Sequence, residues 1–446
     1  MLSMRRASPM ATAERKKGNP MTFAKDFLIG AATAAHQVEG NNIHSDYWAQ
    51  ENMPHTSFTE PSGIACDHYS RYEEDIQLMA DAGLNAYRFS VEWARIEPEE
   101  GRFDESEIKH YRDVIACCKK HCVKPVITLH HFTSPVWLIA KGGWEAESTI
   151  EYFRRYASYV TEQLGNEVEM ICTINEANMG LQLAAIAKRY TMMMKQAAEA
   201  AKAEGSVQVG MNFAKMAENM KYAAEENAQI FGTPKPEVFV SSRTKEGDLL
   251  IMRAHQAAKE AIKAINPDIK VGLTLSLHDL QWEEGGEEFA RKEWDEEFAH
   301  YLPYIKDDDF LGVQNYTRTL YGKEGQLPNH EGAILTQMDY EFYPEALEHV
   351  IRKVHEEFKG DLYVTENGVA VSDDSLRCDF IERALSGVEN CLKDGIPVKG
   401  YFHWSLLDNF EWQKGFSMTF GLVAVNRETM DRKPKQSLSL LGSYTK

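Results

Sequence analysis

The chain has 446 residues, a net charge of −19 and 43% hydrophobic content. That length suits one large domain or two to three ordinary ones, and the composition supplies a sizeable core. The charge argues against nucleic acid or an anionic membrane as partner, and no run reaches the roughly 18–20 apolar residues that span a bilayer.

Residues 1–20 carry Arg5, Arg6, Arg15, Lys16 and Lys17 but no apolar stretch. They are expected to be a disordered leader, not a secretory signal, ahead of one folded unit over 21–446. Strand-like runs then recur at Phe27–Ala34, Ala86–Val91, Lys124–His130, Met170–Glu176, Lys270–Leu277, Phe310–Tyr316, Leu362–Gly368 and Val398–Ser405. Most are continuous apolar runs, the pattern of parallel strands buried on both faces. Between them lie segments with helical spacing, such as Tyr72-Ile76-Met79 and Phe153-Tyr156-Val160-Leu164. Eight strand–helix units without a Gly/Ser/Pro-rich linker predict an α/β fold, a single (β/α)8 TIM barrel with its site at the C-terminal ends of the strands.

One connection breaks the rhythm. Residues 177–269 are long and partly rich in Ala, Lys, Glu and Met, with Thr191-Met192-Met193-Met194, Met211, Met216 and Met220 conspicuous. Helical packing with flexible apolar filler accounts for them; a methionine-lined wall over the cleft mouth is the functional alternative. Cys117, Cys118, His121 and Cys122 fall in one helical stretch without a second ligand pair, so they read as helix packing and no metal is expected. Seven scattered cysteines suit a reducing cytoplasm.

Two runs end in carboxylates. Glu176 follows Thr173-Ile174-Asn175, and Glu366 lies in Thr365-Glu366-Asn367-Gly368. Two carboxylates facing one cleft can cut a glycosidic bond without metal or cofactor. One must be ionised and the other protonated, a difference that mutual repulsion supplies. Strand periodicity leaves the two roles interchangeable.

The surroundings resemble family 1 glycoside hydrolases, the β-glucosidase family, from Phe23 to Ser437. The resemblance is carried by Phe27–Gly40, by Tyr87–Ile96, by Thr365-Glu366-Asn367-Gly368 and by Trp404–Trp412, in the family's order. It implies a retaining β-glycosidase for small β-glycosides or oligosaccharides, most of all β-glucosides, extending to galactosides and fucosides. It implies Glu366 as nucleophile and Glu176 as acid/base. Arg88 and Tyr316 would hold Glu366 ionised, and Asn175 would bond the sugar 2-hydroxyl. Gln37, His131 and Glu411 match hydroxyl-binding positions; Trp404 and Trp412 match an aromatic platform and its indole partner. Members that cleave 6-phosphorylated sugars usually carry a serine and a lysine–tyrosine pair near Glu411. Here the carboxylate stays and Met418 and Thr419 bring no cation, which favours a non-phosphorylated sugar.

The chain departs from the family at Ala177, where proline is usual, at Gln314-Asn315 before Tyr316, and at Phe132, where tryptophan is common. It also lacks a tyrosine–glycine–proline stretch after the fourth run. Two other readings stay open: a sugar-binding barrel without activity, and a transglycosylase. The preferred glycone, the natural aglycone and the oligomeric state are left open.

Overall fold

The structure, a computed structural model, describes residues 23–184 and 212–445. The expected leader over 1–20 lies outside them, as do Thr191–Met194 and Met211. Eight parallel strands form the centre: β1 (Leu28–Thr33), β2 (Ala86–Ser90), β3 (Lys124–His130), β4 (Met170–Ile174), a two-piece β5 (Lys270–Gly272 and Thr274–Ser276), β6 (Phe310–Gln314), β7 (Asp361–Asn367) and β8 (Val398–Trp404). Each pairs with the next, and β1 pairs with β8. The first piece of β5 pairs with β4 and the second with β6, so the barrel closes through a strand interrupted at Leu273.

The continuous apolar runs have the expected cause: every residue of β1, β2, β4 and β6 is buried. Three differences from the expected strands bear on the site, beside shifts of one residue at other ends. β4 stops at Ile174, leaving Glu176 in the following turn; β6 stops at Gln314, leaving Tyr316 beyond it; and the fifth run is two strands, not one. Each end lies where the chain leaves the ladder to face the site, a change that apolar periodicity does not record.

Helices cover the outside. Ile76 and Met79 are buried in helix His68–Ala82, and Phe153, Tyr156, Val160 and Leu164 are buried in helix Ser148–Leu164. Asp104, Thr244 and Asp373 start three others by accepting backbone N–H groups, as N-caps do. Cys117 and Cys118 are buried in helix Glu105–Lys120, while Cys122 is exposed beyond its end. No described helix is long and apolar enough to cross a membrane.

The long fourth connection contributes two described helices, Phe213–Phe231 and Lys245–Ile265. The first leans on the loop beside Trp412: Gln413 Oε1 accepts from Asn212 N at 2.7 Å, and Lys215 Nζ donates to Phe58 O at 2.6 Å. Its Met216 is exposed. A small sheet of Asp279–Trp282, Arg318–Gly322 and Gly325–Gln326, absent from the sequence expectation, extends from the ends of β5 and β6.

Asp75 anchors the C-terminal strand Arg432–Pro434 to the barrel's outer helices. Its carboxylate accepts from Arg432 Nε at 2.8 Å and Nη2 at 2.9 Å and lies 2.8 Å from His68 Nδ1, all nearly solvent-free. Burial pushes the Asp75 carboxyl up, but Arg432 and His68 outweigh it and hold it below the usual range. Its stabilisation is therefore present above about pH 3.9, the free-chain value, and is lost as pH falls through the lower folded one. Asp75→Ala, which strands a buried guanidinium, is expected to cost about 3–5 kcal/mol. Thermal denaturation at neutral and acid pH checks both, the deficit shrinking in acid.

Candidate active site

A cavity of about 290 Å³ opens where the strands end. Glu176 and Glu366 both line it, with His131, Asn175, Tyr316 and Glu411; Trp404, Trp412, Phe132 and Phe420 form aromatic walls. The two carboxylates picked from sequence therefore share one pocket.

Glu366 reaches it from the end of β7. The register of β7 against β6 shifts between Val364 and Glu366. Such an irregularity re-aims a side chain near a strand end. Arg88, in the middle of β2 and fully buried, donates from Nη1 to Glu366 Oε1 at 2.7 Å. Tyr316 OH donates to the other oxygen at 2.6 Å. His131 Nε2 lies 3.9 Å from Glu366 Oε1. Burial, followed by the Arg88 charge, pushes this imidazole well below its ordinary range, so it stands neutral there.

Asn175 and Glu176 follow β4. Asn175 Oδ1 accepts from Arg88 Nη2 at 2.5 Å and from Gln314 Nε2 at 3.0 Å. With its oxygen so occupied, the amide's Nδ2 is buried and without a protein partner. Gln314, a departure from the family pattern in the sequence, thus fixes the orientation of Asn175. Glu176 has a left-handed backbone, φ +43°, as do Phe132 at +72° and Trp412 at +47°. Each costs on the order of 1–3 kcal/mol, and such strain concentrates at functional sites. Thr274, at the start of the second piece of β5, holds the turn twice: its Oγ1 accepts from Glu176 N at 2.9 Å and its carbonyl from Ala177 N at 3.0 Å. A proline at 177 has no N–H to give. Ala177 therefore gives the turn a hydrogen bond that a proline there could not make.

The two carboxylates are electrostatically unequal. Burial, then the charge of Glu366, push Glu176 well above the usual carboxylate range, with Arg88 opposing. Burial raises Glu366 also, but Arg88 and the Tyr316 hydroxyl draw it back. Glu366 thus releases its proton first, and its charge keeps the proton on Glu176.

Gln37 does not line the cavity. It sits behind Glu411, donating from Nε2 to Glu411 Oε2 at 3.3 Å, Asn409 Oδ1 at 3.3 Å and Phe410 O at 2.8 Å, its Oε1 left unpartnered. Trp404 closes β8 and stacks on His131 with ring centroids 5.6 Å apart. Gly368 permits this end of the barrel: a Cβ there would stand 1.9 Å from the Trp404 carbonyl oxygen. Sequence reasoning missed Thr274, Phe420, Asn409 and Tyr340. Tyr340 is buried with an unpartnered hydroxyl and feels the charges of Glu411 and Glu176. Asn409 lies within the Trp404–Trp412 stretch and Thr274 within a predicted strand; Phe420 and Tyr340 had no signal.

Comparison with known proteins agrees with this geometry. A family model described as glycosyl hydrolase family 1 matches residues 19–445. The chain is 29% identical to a β-glucosidase of Agrobacterium sp. over 93% of each chain. It is 43% identical to the solved β-glycosidase BGL167, with a TM-score of 0.83 over 95% of this chain and 97% of that one. It is 40% identical to the apo structure of β-glucosidase 1317, with a TM-score of 0.83 over 94% and 98%.

Glu176→Gln isolates the electrostatic cost. Between the free-chain value near pH 4.3 and its raised folded one, Glu176 holds a proton that the unfolded chain releases, so stability falls as pH rises. The glutamine variant lacks that slope. Its melting temperature relative to wild type is expected to climb as pH rises from about 4 toward the raised folded value.

Proposed function

The chain belongs to glycosyl hydrolase family 1 and is a retaining β-glycosidase; within that activity we propose Glu366 as its nucleophile and Glu176 as its acid/base, acting foremost on β-glucosides. One observation carries the assignment of roles: Arg88 and Tyr316 both bond Glu366, while for Glu176 burial and the charge of Glu366 outweigh the opposing pull of Arg88. An ionised Glu366 attacks the anomeric carbon as Glu176 gives its proton to the glycosidic oxygen. The C–O bond breaks and the aglycone leaves as an alcohol. Water then attacks the glycosyl ester, the now ionised Glu176 takes the water's proton, and Glu366 is released as carboxylate.

Asn175 Nδ2, the buried donor aimed into the pocket, is assigned to the sugar 2-hydroxyl, a bond that strengthens as oxocarbenium character develops. His131 and Glu411 are assigned to the remaining hydroxyls, with Gln37 holding the Glu411 carboxylate from behind, Trp404 to the apolar ring face and the Trp412 indole to a polar contact. The Glu411 carboxylate can accept from either epimer at the fourth carbon, so galactosides and fucosides are secondary substrates. The Glu411 carboxylate opposes a phosphate there. Non-phosphorylated β-glycosides and small oligosaccharides are the substrate class. Residues 21–446 act as a single barrel unit. The buried thiols of Cys66, Cys118, Cys172 and Cys391 suit a cytoplasmic setting.

Glu366→Gln is expected to abolish turnover of aryl β-glucosides. Glu176→Gln is expected to lower kcat/KM for alkyl or phenyl glucosides by about 10²–10⁴-fold, the usual worth of proton donation, while largely sparing a dinitrophenyl glucoside. Equal losses across leaving groups would remove Glu176 from the acid role. In a nitrophenyl glycoside panel, the β-glucoside should react fastest and α-anomers and 6-phosphoglucosides not at all; preference for a phosphorylated sugar overturns the substrate assignment.

A further inference from the structure

One buried guanidinium outside the mechanism lacks a carboxylate partner among the described residues. Arg243 lies in the connection after β4, is 5% exposed, and has no carboxylate within ion-pair distance among the described residues. A guanidinium so placed is costly unless its donors are used. Nη1 donates to Phe239 O at 2.9 Å, and Nη2 donates to Ala177 O at 3.3 Å, the carbonyl next after Glu176. The Arg243 backbone N–H donates to Gly180 O at 3.3 Å. The guanidinium lies flat on Gly180, where an added Cβ would be 2.0 Å from Nε. Its other face covers the Phe239 ring, 4.5 Å from the centroid, and Phe239 contacts Phe132 of the cavity wall with centroids 5.9 Å apart. Arg243 thus spans residues 177–180 on one side and the pocket's aromatic wall on the other.

We propose that Arg243 is a positioning residue for Glu176: it holds the strained turn that aims the carboxyl at the glycosidic oxygen. This rests on Glu176 being the acid/base. Thr274 fixes the amide side of the turn, through Glu176 N and Ala177 N; Arg243 fixes the carbonyl side. Without both, a left-handed glutamate relaxes and its carboxyl moves toward water. Misplacement on the order of 1 Å at a reacting group costs up to about 10²-fold, and the loss falls on substrates that need the proton.

The test is a leaving-group series of β-glucosides with Arg243→Met, Arg243→Lys and Gly180→Ala, beside Glu176→Gln. In Arg243→Met, kcat/KM for phenyl or alkyl glucosides is expected to fall about 10–100-fold, with the dinitrophenyl glucoside within about threefold of wild type. The basic limb of kcat/KM should move to lower pH, because a better hydrated Glu176 loses part of its upward shift. Gly180→Ala, which displaces the guanidinium, should reproduce both effects, and Arg243→Lys, which keeps one donor, should recover part of the rate. It also serves with Gly180→Ala if Arg243→Met does not fold. Uniform losses across leaving groups, with a lower melting temperature and an unmoved basic limb, overturn the proposal and leave Arg243 a packing residue. If Glu176→Gln shows steep leaving-group dependence and the Arg243 variants do not, Arg243 alone is wrong; if Glu176→Gln shows none, the acid/base assignment fails with it.

Discussion

The Arg88 guanidinium is the contact on which the site is built. It is buried at the barrel axis, where an unpaired cation would be prohibitive. One amino nitrogen goes to Glu366 and the other to Asn175, the neighbour of Glu176. A single planar group therefore joins the ends of β7 and β4 through the barrel interior. Its fork geometry sets both distances at once, which a lysine's point charge would not do. Folding and chemistry share the same bond: the ion pair that keeps a buried arginine tolerable also keeps a carboxylate ionised.

The rest of the electrostatics follows from that asymmetry. Both glutamates are desolvated to a similar degree, each 3% exposed. Burial alone would leave them alike. Arg88 and Tyr316 break the tie, and once Glu366 carries the charge its neighbour cannot ionise cheaply. Neutral His131, 3.9 Å from Glu366, adds no charge, so Arg88 remains the cation that holds the nucleophile ionised.

Much of this was legible in the sequence. Parallel strands buried on both faces must be apolar throughout, so the eight runs stood out, and Glu176 and Glu366 were visible because each ends such a run. Arg88 and Tyr316 became candidates through the family resemblance and meet Glu366 in the structure. The parts that escaped depend on partners distant in the chain. Nothing local to Thr274 shows that it holds residues 176 and 177, nothing local to Arg243 shows that it lies on Gly180, and Tyr340 reaches the pocket from a loop between β6 and β7. Gln314 was read as a deviation when it is a hydrogen-bond donor to Asn175. Residue type and spacing cannot distinguish those two meanings; only the facing strand can. The split of β5 escaped for the same reason, since the three residues on either side of Leu273 look like one strand until their neighbours are known.

That split makes the barrel wall mechanically uneven. The regular ladder pairs β5 with β4 before Leu273 and with β6 after it, and single hydrogen bonds cross the division, Asp309 N to Val271 O at 3.1 Å and Ala177 N to Thr274 O at 3.0 Å. The turn bearing Glu176 hangs from the β6 side of this joint, by way of Thr274, although its own strand belongs to the β4 side. A small shear across the joint would therefore shift the proton donor relative to the sugar while Glu366, braced by Arg88 and Tyr316, stays where it is. The barrel thus holds its nucleophile through buried side chains and its proton donor through hydrogen bonds to the backbone on either side of it.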